Sequence, residues 1–237
     1  MGIKPQARRA SRIDRAAANT PHTMREDVRA FKCGIILNTA IEVFYINGYQ
    51  NSSVDDIAAA MSVTKAVIYY NFNSKEVVLE QIIDRSIALT HENIDHGITA
   101  GRTPAQKLAL LCFFYAIHIF KNQKMVAVYF REERSFSAAL RRRTTMMEKS
   151  VDEKVAAILN AGVVSGEFLR CDTRLMAITI MGMISMSFHW YREGGRLSTE
   201  ALGRHFYDQA LHLVGYDGDL GLDEAAFKER QSQSQWI

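Results

Sequence analysis

The sequence predicts an all-α protein, and three observations carry that expectation. The three prolines, Pro5, Pro21 and Pro104, leave nearly all of the chain after residue 21 free to be helical. From Arg25 to Val214 apolar residues recur at helical spacing, and no stretch alternates in the way a strand requires. The breaks in that spacing are short and fall at helix-stopping residues: Asn47-Gly48, Asn122-Gln123, Ser165-Gly166 and Glu193-Gly194-Gly195.

Taken in order, residues 1–24 are small and basic without apolar periodicity and read as a disordered arm, either a solvated tail or one that follows a polyanion. A helix from Arg25 carries Leu37, Ala40, Ile41 and Phe44 on one face and stops at Asn47-Gly48. Ser52 and Ser53, with Asp55 and Asp56 following, open a short second helix in the manner of a capping box, with Ile57, Ala58 and Met61 as its buried stripe. A third helix starts at Thr64 and buries Val63, Ile68 and Phe72. Asn73, Ser74 and Glu76 cap a fourth, expected to run to about Asn93. Three helices and a tight turn within so short a span have the geometry of a helix-turn-helix. Beyond Gly97–Gly101, helices are expected over Thr103–Phe120, Lys124–Arg131, Phe136–Val164, Thr173–Arg192 and Ser198–Val214, and the chain from Asp217 loses periodicity.

Charge separates the two ends. Residues 1–75 hold ten Lys/Arg against six acids, a surplus of four in a chain of net charge +3, so the remainder carries −1. A basic N-terminal third on a near-neutral body points to a polyanionic partner at that end. Cys33, Cys112 and Cys171 are widely spaced, without CxxC or Cys/His ligand spacing, which fits a reduced, cytoplasmic compartment and argues against a zinc site; no cofactor is called for. No segment resembles a signal peptide. The longest apolar run, Leu175–Trp190, is interrupted by Thr179, Ser185, Ser187 and His189 and suits a buried helix better than a bilayer span.

The segment Ile36–Val78 resembles the TetR family of transcriptional regulators. Ile36-Leu37-Asn38-Thr39-Ala40-Ile41-Glu42-Val43-Phe44, Asn47-Gly48-Tyr49 and Ser53-Val54-Asp55-Asp56-Ile57-Ala58 are similar to the first two family helices. Val63-Thr64-Lys65-Ala66-Val67-Ile68-Tyr69-Tyr70-Asn71-Phe72-Asn73-Ser74-Lys75-Glu76 is similar to the recognition helix and the start of the next. The resemblance implies a helix-turn-helix DNA-binding domain over residues 25–80, a larger helical ligand-binding and dimerisation domain over 81–216, and a flexible tail over 217–237. It implies a homodimer that binds near-palindromic double-stranded operator DNA and is released by a small effector.

The chemistry of the residues agrees. Thr64, Ala66 and Val67 are short, so the third helix can sit deep in a major groove, with Thr64 on a phosphate or base edge and Val67 against a thymine methyl. Lys65 and Lys75 can neutralise phosphates, and the Tyr69, Tyr70, Ser52 and Ser53 hydroxyls can hydrogen-bond them. Tyr69 can equally be half-buried against the fourth helix, and the serines can serve as caps alone. Three residues depart from the family pattern. Ser62 stands where the turn usually has Gly, which would place a side chain at a left-handed position for about 1 kcal/mol; Ala66 replaces a common Gly and Asn71 a common His, and both are kept as expected DNA contacts.

In the larger domain, Thr103–Phe120 is apolar around most of its circumference and must be covered or line a cavity. Candidate ligand residues are Phe114, His118, Tyr129, Met183 and Trp190, together with Arg141, Arg142 and Arg143, which can receive the phosphates of an acyl-CoA or form a solvated face. The methionines around Met183 also fit ordinary core, and His118 fits a satisfied core histidine. His189-Trp190-Tyr191-Arg192-Glu193-Gly194-Gly195-Arg196-Leu197-Ser198 resembles the junction of the last two helices in a subgroup sensing lipid- or steroid-derived acyl-CoA. Ile180, Ile184 and Phe188, with Leu202, Phe206, Ala210 and Leu213, are expected to form a four-helix bundle with a second copy. Two other readings compete: an all-helical enzyme with Glu132, Glu133 and His118 as acid–base candidates, and a DNA-binding regulator without an effector.

Overall fold

The computed structural model describes residues 24–228, which form nine α-helices and no strand. They are α1 (Met24–Asn47), α2 (Val54–Ala60), α3 (Lys65–Asn71), α4 (Lys75–Ala100), α5 (Pro104–Lys121), α6 (Gln123–Arg131), α7 (Ala138–Ser165), α8 (Thr173–Ser185) and α9 (Thr199–Leu213). The expected basic arm, apart from its last residue, lies outside the described residues.

The local signals act as the sequence implies. The Ser53 hydroxyl accepts from the Asp56 N–H while the Asp56 carboxylate accepts from the Ser53 N–H, a complete capping box at α2. Ser74 caps α4, and Thr103 with Gln106 forms a second capping box ahead of Pro104. Gly48 ends α1 at φ +78°. Ser62 takes φ +55°, the one non-glycine residue with positive φ among the described residues, so the turn before α3 carries the expected left-handed strain.

Two cores share the chain. Ile36, Leu37, Ala40, Phe44, Ile57 and Ile68 of α1–α3 are buried with Val78, Leu79, Ile82 and Ile83 of α4, and the same cluster runs on to Met125, Val128 and Tyr129 of α6. The second core is built around α5, whose residues from Leu108 to Phe120 are all buried, between α4, α7, α8 and α9.

Four expectations are corrected. Helix α4 does not stop near Asn93 but runs through Gly97 to Ala100. A Cβ at Gly97 would lie 2.5 Å from the Leu111 Cα and N, so this glycine lets α4 and α5 cross backbone to backbone instead of breaking the helix. Helix α8 ends at Ser185 and gives way to a 3-10 turn over Met186–His189, where the Ser187 hydroxyl donates to the Ile184 carbonyl at 2.7 Å and Gln123 donates to the Phe188 and Tyr191 carbonyls. The expected bundle residues Ile180, Ile184, Phe188, Leu202, Phe206 and Ala210 are buried within the chain; of that set Leu213 alone is exposed. The supposedly flexible tail is packed as far as it is described. Phe227 stacks edge-on against Phe113, Arg204 lies over the Phe227 ring and pairs with Glu224, and Gln106 donates to the Leu220 carbonyl.

Candidate nucleic-acid interface and effector cavity

Helix α3 is anchored by Ile68, which is fully buried, and by Phe72 just beyond its end. Those two anchors turn Thr64, Lys65, Ala66, Val67, Tyr69 and Tyr70 outward, and all six are exposed. Thr64 occupies the N-cap position without a side-chain cap bond, so its hydroxyl is available to an incoming group. Lys65 pairs with Asp55 at 3.6 Å, with both side chains mostly exposed, a contact weak enough for a phosphate to displace. Tyr69 is 48% exposed, half-buried but with its outer half open to a partner, and Tyr70 is 82% exposed. A short helix with small side chains at its start and hydroxyls and a cation around it suits a major groove.

Three expected DNA contacts are engaged inside the protein. Ser52 is buried and its hydroxyl donates to the Gly48 carbonyl at 2.7 Å. Asn71 donates to the Val67 carbonyl at 2.8 Å and accepts from the Cys33 thiol. Lys75 donates to the Tyr49 carbonyl at 2.9 Å and the Ser52 carbonyl at 2.8 Å, its ammonium 4.2 Å from the Tyr49 ring centre. It therefore clamps the α1–α2 turn onto the start of α4. Tyr49, which packs edge-on against Phe44, has its phenol pushed up to about 12 by burial and then by Glu76. Ser53 stays exposed, but its hydroxyl already serves the capping box.

A cavity of about 250 Å³ lies where α4, α5, α6, α7 and α8 meet. Its walls are chiefly apolar, with Ile119, Val126, Phe130, Met147, Val151 and Met181, and carry the hydroxyls of Ser86, Thr90, Tyr115 and Tyr129. Two larger depressions, one beneath the C-terminal segment and one between α1 and the α5–α6 junction, are lined mainly by polar and charged side chains and lack the walls an apolar effector needs.

Of the expected ligand residues, Tyr129 lines this cavity, donating to Glu148 at 2.9 Å; burial and then Glu148 raise its phenol above the ordinary range. His118 lies one layer behind, its Nε2 3.2 Å from the Thr90 hydroxyl and its Nδ1 3.2 Å from the Asn122 amide, and burial pulls its pKa down to about 4, which leaves it neutral. Phe114 packs on Phe113 and His96, and Trp190 is half-exposed over Phe206. Met183 packs against the α5 core and does not line the cavity. The three arginines are on the exposed face of α7. Arg143 grips Asp84 with a two-pronged contact, Arg141 pairs with Glu133, and Arg142 is exposed. None of them lines the cavity, because the buried stripe of α7 is carried by Leu140, Thr144, Val151 and Val155. The acid–base candidates are also dispersed: Glu132 accepts from the Tyr49 N–H, Glu133 faces Arg141 and His118 is enclosed.

The sequence reading missed Ser86, Thr90, Tyr115, Glu148 and Asp152, which reach the cavity from three helices. For Glu148 and Asp152 a signal existed: acids four apart beside the apolar Met147 and Val151. It expected the helix that is α6 but gave it no role beyond Tyr129. Lys124 pairs with Glu42 of α1 at 2.6 Å, Arg131 lies 5.0 Å over the Tyr45 ring, and just past the helix Glu132 holds the Tyr49 N–H at 3.1 Å. One side of α6 thus grips α1 while Val126, Tyr129 and Phe130 line the cavity.

Comparison with known proteins agrees with this geometry. Residues 36–82 match the family model "Bacterial regulatory proteins, tetR family", and residues 101–214 match "Tetracyclin repressor-like, C-terminal domain", together about two thirds of the chain. A fatty acid metabolism regulator protein of Bacillus subtilis is 29% identical over 150 residues, which is 63% of this chain and 77% of that protein. The transcriptional repressor KstR2 of Mycolicibacterium smegmatis is 23% identical over 174 residues, 72% of this chain and 84% of that protein. The crystal structure of AibR in complex with isovaleryl coenzyme A and operator DNA superposes with a TM-score of 0.67 at 22% identity, over 77% of this chain and 97% of that one. The chain belongs to the TetR family of bacterial transcriptional regulators.

Proposed function

We propose that this regulator is a cytoplasmic, homodimeric repressor that binds near-palindromic operator DNA through α3 and releases it when an apolar or acyl-CoA-like effector occupies the cavity between α4 and α8. The observation that carries this reading is the double duty of α4 and α6. Each lines the cavity, and each is fastened to the DNA-reading unit: α4 by the Lys75 clamp, α6 by Glu42, Tyr45 and Tyr49. A ligand that wedges these helices apart changes the spacing of the two recognition helices without unfolding either protomer. Catalysis is not part of this reading, because the candidate acids and the histidine each serve a separate structural partner.

The dimer face is assigned to α8, where Leu175 is 62% and Met186 47% exposed on the side that also carries Ile178 and Gly182, two residues that line the rim of the cavity. Such a stripe of apolar and small residues suits close self-association. The effector class is supported by the apolar walls and by what the similar proteins are named for. Fluorescence anisotropy of a labelled operator, selected from random-sequence DNA by the purified protein and titrated with acyl-CoA thioesters, tests the reading. Dissociation is expected, and its absence across short, medium and long chains would remove the effector from the account.

A further inference from the structure

The charges in the cavity wall are both negative. Glu148 and Asp152 stand one turn apart on α7, and no Lys, Arg or His is among the described residues lining the cavity. His118, the imidazole behind Thr90, is neutral. The neighbouring lysines of α7 are used elsewhere, Lys149 on Glu153 and Lys154 on Asp95. Glu148 is exposed and keeps one oxygen on the Tyr129 hydroxyl, and Asp152 is half-buried, with burial raising its carboxyl above the ordinary range. A ligand body sunk among Ile119, Val126 and Val151 brings its polar end to this acidic wall.

We propose that Glu148 and Asp152 determine effector specificity, accepting hydrogen bonds from a neutral N–H or O–H group next to the ligand's apolar body and excluding a carboxylate from that position. The inference rests on the cavity being the effector site. A carboxylate entering here would give up part of its hydration and meet two like charges with no cation in the wall, whereas an amide finds acceptors. The chain would then respond to an amide-bearing conjugate of an acid and ignore the free acid. The amide N–H groups of a pantetheine arm are of the favoured kind.

Calorimetry on the DNA-free protein tests this with three ligands of one apolar body: octanoate, octanamide and the octanoyl thioester of N-acetylcysteamine, which carries an amide but no phosphate. At neutral pH the amide and the thioester should bind at least about tenfold more tightly than octanoate. The double variant Glu148→Gln with Asp152→Asn keeps side-chain shape and the acceptor for Tyr129. It should strengthen octanoate binding by about tenfold and leave octanamide within about threefold. Octanoate binding as well as octanamide, or an unchanged ratio in the variant, would overturn the charge filter while leaving the cavity as a ligand site. Failure of all three to bind would overturn the effector reading itself.

Discussion

Replacing Lys75 by Met tests whether this residue holds the protein together or holds DNA. Methionine keeps most of the apolar stem and removes the ammonium that donates to the Tyr49 and Ser52 carbonyls at 2.9 and 2.8 Å and sits 4.2 Å from the Tyr49 ring centre. A hydrogen bond from a charged donor contributes roughly 1.5–3 kcal/mol, and a cation over an aromatic ring roughly 0.5–1 kcal/mol at a partly exposed site. The three contacts share one ammonium and do not add, so the net loss should be about 2 kcal/mol, well below the sum. Urea unfolding of the DNA-free protein at one fixed protein concentration measures it. The salt dependence of operator binding supplies the contrast, since each lost phosphate contact flattens the slope of log K by about 0.9 per protomer. A clamp predicts a lowered urea midpoint and a slope that changes by less than one contact. An unchanged midpoint with a slope flattened by a full contact would refute the clamp and restore Lys75 as a phosphate ligand.

Gly97→Ala should lower the midpoint of thermal unfolding, because its methyl would press on the α5 backbone at 2.5 Å and overpacking of that kind costs roughly 1–3 kcal/mol; a wild-type melting curve would contradict the close crossing. Thr64→Ala and Val67→Ala should alter the ranking of operator variants in a competition assay and leave the salt slope alone, whereas a uniform loss across sequences would move these residues off the base edges. His118 titrates at about 4 in the fold against an ordinary value near 6.5, so the unfolded chain takes up the proton first as the pH falls. The stability held above pH 6.5 should therefore decline between about pH 6.5 and 4, by roughly 3 kcal/mol in the limit, and His118→Gln should remove that part of the decline in urea midpoints. Parallel pH curves for the two proteins would contradict it.

The helices and the DNA-reading unit were legible because their signals are local. Caps, helix-stopping pairs and the spacing of Ile57, Ile68 and Phe72 act within a few residues, and even the strained Ser62 is visible as a residue standing where glycine is expected. What a side chain does at the tertiary level was less legible. Lys75 and Ser52 have the chemistry of phosphate ligands, but their partners are carbonyls more than twenty residues away and four residues away, respectively. Gly97 reads as a helix stop in one dimension and is a crossing point in three. The cavity is the extreme case, because five helices each contribute a few residues to it and no window of sequence contains the set. The arginine run drew attention by its density, although a helix surface disperses such charge into pairs such as Arg143 with Asp84. Helices α8 and α9 were read as a dimer seam because they are apolar, yet much of that apolar surface is used inside the chain, α9 against α5 and α8 chiefly against α7.

Coupling between the cavity and the operator is tested most directly by measuring effector-driven release in a protein whose cavity has been narrowed. Val151→Phe places a larger side chain in the α7 wall, away from both α3 and the α4 clamp. In wild type, a saturating acyl-CoA thioester should weaken binding to the selected operator by about 5- to 150-fold, the usual range of such coupling. Val151→Phe should bind the same operator with wild-type affinity and fail to let go. Release of equal extent and at equal effector concentration in the two proteins would contradict the assignment of this cavity as the site through which the repressor is controlled.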